Sequence, residues 1–317
     1  MRVGVIGAGI SGIACARVLN DAGHQVVVLD RGRVPGGRMA SRRFASSRYV
    51  DLGASYFTVS EPAFGVVVDA WEAAGLARPW THRFAVWDGA FGVPKDGPVR
   101  WASPGGLRSL VAALAEGVDV RQGVHIERVS RPAGTSADGF EVDGERYDAV
   151  VLAMPDPQAL AVLDPALLRD SALPRLADRA WDPVLVLAAR WDSKAWEFED
   201  GVFVHGSDVL SWVADDGARR GDGALVLTAH STPAFAATRL EVPADAAPDL
   251  VAGLEALGVP EPVEVLRVQR WTFAKPIGER EPAFFLNDGL GLCGDGWGRS
   301  RVEGAWLSGT LLGEALA

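Results

Sequence analysis

Residues 2–30, RVGVIGAGISGIACARVLNDAGHQVVVLD, constrain the fold more than any other stretch. Arg2 to Ile6 predicts a short buried strand. Gly7, Gly9 and Gly12 follow in GxGxxG spacing, and Ile13 to Ala22 predicts a helix that Gly23 stops. Ile13, Ala14, Ala16 and Leu19 are available to pack that helix on a sheet. Gln25 to Leu29 predicts a second strand ending at Asp30. Each part has a task in holding a dinucleotide. Gly7 permits a tight turn, Gly9 lets the backbone approach a pyrophosphate, and Gly12 lets helix and strand pack closely. The helix N-terminus offers free N–H groups and a partial positive charge. Asp30 is placed to accept from ribose hydroxyls.

This pattern suits NAD and FAD equally, and the following residues discriminate. DRGRVPGGRMASRR puts Gly36, Gly37 and Arg38 just after the acidic strand end. A Gly-Gly-Arg turn lets an arginine fold back on a dinucleotide's phosphates with paired charge-assisted hydrogen bonds. YVDLGASYF, Tyr49 to Phe57, comes next. Together these motifs resemble the N-terminus of the flavin-dependent amine oxidase superfamily, whose dinucleotide is FAD. The bland reading of Arg42 and Arg43 is a solvated basic face.

Beyond this, Pro62 to Leu76 predicts a helix with Trp71 on its apolar face. RFAVWDG and PVRW predict strand pieces, and a helix begins at about Leu107. A hairpin, Phe140–Val142 with Arg146–Asp148, feeds a buried strand at Ala149–Ala153. VLVLAAR, GVFVHG, VLSWVAD, GALVLTAHS and VEVLRVQRW read as strands at hairpin-like spacing. DAAPDLVAGLEALG reads as a helix with Pro248 in its first turn. The expected fold is α/β: a Rossmann-type FAD-binding domain with a parallel sheet, plus an inserted substrate domain with a mostly antiparallel sheet, as in amine oxidases. The FAD-binding domain is expected over 1–60, 100–160 and 284–317, and the substrate domain over 61–99 and 161–283.

CGDGWGRSRVEGAWLSG, Cys293 to Gly309, predicts a second strand–turn–helix aimed at the same cofactor. Asp295 can accept from a ribityl chain. The helix start at Glu303, Gly304 and Ala305 can stabilise negative charge growing on a flavin's pyrimidine ring, by about 0.3–2 kcal/mol. VDLGASYFT, VRWASPGG, RWTFAKP and GDGWGRSRVEGAWLSG, in that order along the chain, resemble the renalase family, especially its bacterial members. One departure is that Gly296 follows Asp295 where the family has a tryptophan, with Trp297 one place later.

The resemblance implies a non-covalent FAD oxidase acting on dihydronicotinamide dinucleotides, isomers of NAD(P)H reduced at the wrong ring carbon. A hydride would pass to flavin N5, and O2 would reoxidise the flavin to give H2O2 and NAD(P)+. It assigns cofactor contacts to Gly7, Gly9, Ile10, Ser11 and Gly12; to Asp30, Arg31, Gly37, Arg38 and Met39; and to Gly53, Ala54 and Ser55. Val124, Asp295, Val302, Glu303, Gly304 and Ala305 complete the set. Tyr56, Trp271, Lys275 and Trp297 are the candidates for the catalytic pocket, with core packing as the plain reading of Trp271 and a surface charge that of Lys275. A dihydronicotinamide is already a hydride donor, so stacking and fit suffice and no acid–base pair is required.

Composition sets further bounds. The formal charge is −10, which argues against a nucleic-acid partner. Cys15 and Cys293 are too few for a disulfide framework, and no signal-peptide layout or long apolar run occurs. A cytoplasmic protein without a membrane segment is expected, with the oligomeric state left open. His205 and His230 lack neighbours at ligand spacing, so no metal site is expected. Two rival functions stay in view. An amine oxidase would need aromatic rings framing the amine, and only Tyr49, Tyr56 and Tyr147 supply tyrosine. A non-catalytic module would use FAD as a structural staple.

Overall fold

A computed structural model of the chain describes residues 1–45, 48–132, 139–170, 173–278 and 282–317. The contacts divide it into two compact units. The first comprises Met1–Gly37, Val111–Trp181 and Lys275–Ala317; the second comprises Arg38–Leu110 and Asp182–Ala274. These seams give residues 38–60 to the second unit, where the sequence reading assigns them to the FAD-binding domain.

The first unit is built on a six-stranded sheet. Its order is Phe285–Asn287, Leu290–Leu292, Ala149–Leu152, Arg2–Ile6, Gln25–Asp30 and Asp119–Gln122. Every pairing is parallel except the first. Near-continuous Val, Ile and Leu in the central strands is what a parallel sheet covered on both faces demands. The expected helix after the glycines runs Ile10–Asp21, starting three residues earlier than its apolar pattern suggests. Gly12 adopts helical backbone as readily as a loop, so the sequence does not mark the true start. The last helix, Val302–Leu316, packs on this first helix through glycines. A Cβ on Gly309 would lie 1.9 Å from the Ser11 carbonyl oxygen, and one on Gly313 would lie 3.0 Å from that of Cys15. The two helix backbones therefore touch. On the sheet itself Phe140, Tyr147, Leu152, Leu290 and Trp297 form an apolar core.

The second unit holds a seven-stranded sheet ordered Glu264–Pro276, Trp181–Arg190, Val226–Ser231, Leu210–Asp215, Gly201–His205, Arg78–Asp88 and Lys95–Ala102. It is mostly antiparallel, as expected, but Gly201–His205 pairs parallel with Arg78–Asp88. The helix Ala247–Ala256 starts with Pro248 in its first turn and buries Leu250 and Leu254 against Leu185, Leu187, Val213 and Leu227. Each of those two leucines contributes about 1.5–3 kcal/mol. The helix Pro62–Ala73 likewise opens on its proline and buries Phe64, Val68 and Trp71.

Candidate functional site

In the first unit the glycine loop sits at the carboxyl ends of the parallel strands, where open α/β sheets bind ligands. Gly7 has φ +113, and a Cβ there would come within 2.5 Å of the Ala153 carbonyl oxygen. A Cβ on Gly12 would be 2.0 Å from the Gly7 carbonyl oxygen and 2.9 Å from Ala153 Cβ. Both glycines are thus required by the protein's own packing. Gly9 differs, because a Cβ there would meet no protein atom within 4 Å. Gly9 is also the N-cap of the first helix, with no side chain capping it and no acidic residue in the first turn. Ile10, Ser11 and Gly12 therefore begin a helix whose first N–H groups have no side-chain acceptor.

Asp30 binds the loop from below. Its carboxylate accepts from the Ala8 N–H at 2.6 Å and the Gly32 N–H at 2.5 Å. A carboxylate has about four acceptor sites, so capacity for ribose hydroxyls is left. Gly36 donates to the Ala8 carbonyl at 2.9 Å, and a Cβ on Gly37 would lie 3.3 Å from Gly9 Cα. Val124 donates to the Asp30 carbonyl at 3.0 Å, which puts it beside the acidic strand end with Arg31. Gly7, Gly9, Asp30, Gly37 and Val124, far apart in sequence, thus share one corner of the first unit.

The C-terminal stretch forms a second feature of the same unit. Asp295 is buried and accepts from the Ser300 hydroxyl at 2.9 Å. The last helix begins at Val302 after Arg301, with no side-chain cap. A Cβ on Gly304 would strike the Arg299 carbonyl oxygen at 2.1 Å. Glu303 is fully buried and pairs with Arg301 at 2.7 Å, and Ala305 is buried beside it. Trp297 lies in the apolar core, its ring 6.2 Å from that of Phe285. Gly296 has the Trp181 ring over it, 3.1 Å from where a Cβ would be. Trp181 is the aromatic that sequence reasoning missed here, because only the fold brings position 181 to position 296. Lys275 is exposed. Burial pushes the Cys293 thiol up to about 12 and the Cys15 thiol well above its ordinary value.

The remaining predicted residues gather in the second unit. The Arg38 carbonyl accepts from Ala54 N–H at 2.9 Å, and a Cβ on Gly53 would sit 1.9 Å from that same oxygen. Arg38 also donates to the Ala274 carbonyl at 3.2 Å, and Met39 is buried. Trp271 donates its indole N–H to the Leu52 carbonyl and packs by Val50 and Val186. Ser55 is buried and receives the Trp212 indole N–H at 3.0 Å, lies 3.3 Å from His230 Nε2, and accepts Arg219 Nη1 on its carbonyl at 2.9 Å. Arg219 has no exposure; it pairs with Asp216 and lies 3.7 Å from Asp51. Burial, then the Arg219 charge, pushes His230 down to about 3, so its imidazole is neutral.

Tyr56 joins an aromatic cluster, its ring 5.3 Å from Phe84, 5.8 Å from Trp212 and 6.3 Å from Trp80. The Arg100 guanidinium stands 4.5 Å from the Phe84 ring centroid. Burial raises the Tyr56 phenol, partly offset by Arg100. Arg219, His230, Trp212 and Arg100 were not legible as site residues, since nothing in their local sequence links them to residues 55 and 56.

Known proteins share both the sequence pattern and the fold. A family model of flavin containing amine oxidoreductases matches residues 68–312, and one of NAD(P)-binding Rossmann-like domains matches residues 5–71. The chain belongs to the flavin containing amine oxidoreductase family. Human amine oxidase [flavin-containing] B is 50% identical over 52 residues, 16% of this chain. The 15-cis-phytoene desaturase of Synechococcus elongatus is 37% identical over 62 residues, 20% of this chain. These matches span only 10% and 13% of the relatives' own lengths. A proposed protoporphyrinogen oxidase from Exiguobacterium shares the fold with a TM-score of 0.79 at 16% identity, covering 99% of this chain and 98% of that one. A putrescine oxidase bound to putrescine does so with a TM-score of 0.72 at 15% identity, covering 100% and 99%.

FAD is the cofactor of this family member, and the first unit fits it. The open Cβ direction at Gly9, beside an uncapped helix start, is a cradle for a pyrophosphate. Among the described residues no group of three or more His, Cys, Asp or Glu is placed to hold a metal ion. No helix among them is long and apolar enough to cross a membrane.

Proposed function

We propose that this family member is a renalase-like oxidase of dihydronicotinamide dinucleotides, with O2 as the final acceptor and H2O2 and NAD(P)+ as products. When bound, FAD supplies the two-electron acceptor. The chain's own residues hold, orient and shield. The Gly9 turn and first helix N-terminus take the phosphates, Asp30 takes a ribose, and Asp295 takes the ribityl chain. Non-covalent binding agrees with Cys15 and Cys293 being buried thiols held protonated.

The observation that carries the substrate class is Arg100 on the Tyr56 aromatic cluster. Aromatic faces attract cations, and here a guanidinium already takes one. A protonated amine brought to these rings would meet a like charge. The Asp200 carboxyl beside Thr81 and Trp80 is pushed up by burial and offers a weakened counter-charge. An uncharged dihydronicotinamide ring trailing phosphates suits an arginine-bearing aromatic surface better. Tyr56 then serves the ring, Trp271 and Trp297 act by packing, and exposed Lys275 is available to a substrate phosphate. His230 and Tyr56 are neutral at physiological pH, which agrees with a hydride donor that needs no proton removed.

The test is anaerobic mixing of the FAD-loaded protein with each dihydronicotinamide isomer and, separately, with putrescine and benzylamine. Bleaching of the visible flavin band by a dihydronicotinamide, with peroxide on admitting air, is expected. Bleaching by amines alone replaces this reading with amine oxidation, and bleaching by neither leaves FAD as a staple.

A further inference from the structure

Within the second unit the strand Leu210–Asp215 carries a β-bulge: its register against Val226–Ser231 slips between Leu210 and Trp212. A bulge re-aims the side chain beside it, and such irregularities gather next to active sites. The extra residue, Ser211, is tied down by its hydroxyl, which donates to the Ser231 carbonyl at 2.8 Å. Past the slip, Trp212 stands directly opposite His230. Directly opposed residues share a face of the sheet. A third segment closes on that pair: Ser55 Oγ accepts the Trp212 indole N–H at 3.0 Å and lies 3.3 Å from His230 Nε2. One buried hydroxyl thus serves two ring nitrogens, accepting from the indole and donating to a neutral imidazole. With its proton turned to His230, the hydroxyl presents a lone pair to Trp212.

The far end of the indole is fitted as closely. Gly201 opens the neighbouring strand Gly201–His205, and a Cβ there would stand 2.5 Å from Trp212 Cη2. Beside the indole, the backbone around Tyr56 is held on both sides. Arg219 donates to the Ser55 carbonyl at 2.9 Å, and Phe57 exchanges two backbone bonds with Trp101, at 3.1 and 2.8 Å. The Trp212 ring packs 5.8 Å from that of Tyr56 and 4.7 Å, edge-on, from that of Phe84. At such separations aromatic rings set one another's tilt.

We propose that Ser55 is a positioning residue for donor binding: by holding the Trp212 indole over Gly201, it fixes the aromatic surface that takes the donor's ring. The proposal rests on the reading that the Tyr56 cluster receives the substrate. A ring stacks most tightly on a surface already ordered before it arrives, because ordering that surface on binding costs affinity. Without the Ser55 hydroxyl, the indole N–H is a buried donor that has lost its acceptor, and the ring gains by turning toward water.

Anaerobic rapid mixing decides it, at saturating FAD and with the dihydronicotinamide that bleaches the parent. The rate of bleaching against donor concentration gives a half-saturating concentration and a limiting rate. S55A should raise the half-saturating concentration about tenfold, and by more than it lowers the limiting rate. S55T, which returns a hydroxyl, should recover most of the loss. G201A keeps the hydroxyl, displaces the ring and should raise the half-saturating concentration likewise; it carries the test if S55A does not fold. A hydroxyl that served the fold alone would change the amount of active protein and leave the half-saturating concentration where it was. The Trp212 indole N–H resonance, identified by its loss in W212F, should move and exchange faster with water in S55A. Unchanged half-saturating concentrations in S55A and G201A overturn the proposal. A parent bleached by amines alone overturns the oxidase reading and not this one, which the same series with that amine then decides. A parent bleached by no donor overturns both.

Discussion

Gly9 and Gly12 belong to one motif, but the structure gives them different duties. A methyl group at Gly12 would press on the Gly7 carbonyl oxygen at 2.0 Å, and backbone cannot yield as a flexible side chain can. Gly12→Ala should therefore cost about 1–3 kcal/mol of folding stability, the usual range for overpacking. A methyl group at Gly9 meets only open space beside the uncapped helix start. Gly9→Ala should leave the melting temperature of the FAD-free protein unchanged and weaken FAD binding by about tenfold or more. Thermal unfolding without cofactor, paired with a fluorescence titration of FAD, separates the two. Equal FAD affinity in Gly9→Ala and the parent would remove the cradle from this glycine.

At the scale of elements, the pairing of first and last helices is the joint on which the cofactor corner rests. Gly309 touches the Ser11 carbonyl and Gly313 that of Cys15, one helical turn apart along each helix. Gly309→Ala would drive a Cβ to 1.9 Å from backbone and must push the helices apart. We expect a loss of about 1–3 kcal/mol in urea unfolding, against about 0.5 or less for Glu314→Ala on the exposed side of the same helix. If both variants unfold alike, the helices do not depend on this contact. The first strand–loop–helix–strand was legible because its signals are local: glycine spacing, β-branched runs, an acid at the strand end. What local pattern could not disclose is pairing at long range. The spacing of GVFVHG and RFAVWDG says nothing of their parallel register, and Trp297 looked like a pocket wall because Trp181 and Phe285 are distant in sequence.

Across the whole molecule, the least legible feature was where charge is buried. Nothing local in VADDGARRGDG marks burial, yet Asp215, Asp216, Arg219 and Arg220 are all buried, and Arg219, which donates to the Ser55 carbonyl, lies between Asp216 and Asp51. Composition gives the balance of such charges and not their depth, because depth depends on which partners the fold delivers. This burial sets the pH response. His230 has its folded value pushed down to about 3 from 6.5, so its contribution is full above pH 6.5 and fades as pH falls through that window toward 3. Asp216 is raised to about 6 from 3.8 by burial, with Arg219 opposing, so its contribution is full below 3.8 and is lost as pH rises through 6. The two nearly cancel between about pH 4 and 6, and His230 sets the net direction only outside that overlap, between about 6 and 6.5 and below about 4. Each tenfold change in proton affinity is worth about 1.4 kcal/mol, so no more than about 5 kcal/mol is at stake for His230, and solvent reaching its half-buried ring reduces that. Urea midpoints measured from pH 7 down to pH 4 should fall slightly for the parent and rise for His230→Asn, which cannot take up the proton and leaves Asp216 unopposed. Asp216→Asn removes the opposing group, so its midpoint, whatever its value at pH 7, should drop more steeply than the parent's. A His230→Asn protein as acid-sensitive as the parent would mean that this imidazole is not the group whose protonation the folded state resists.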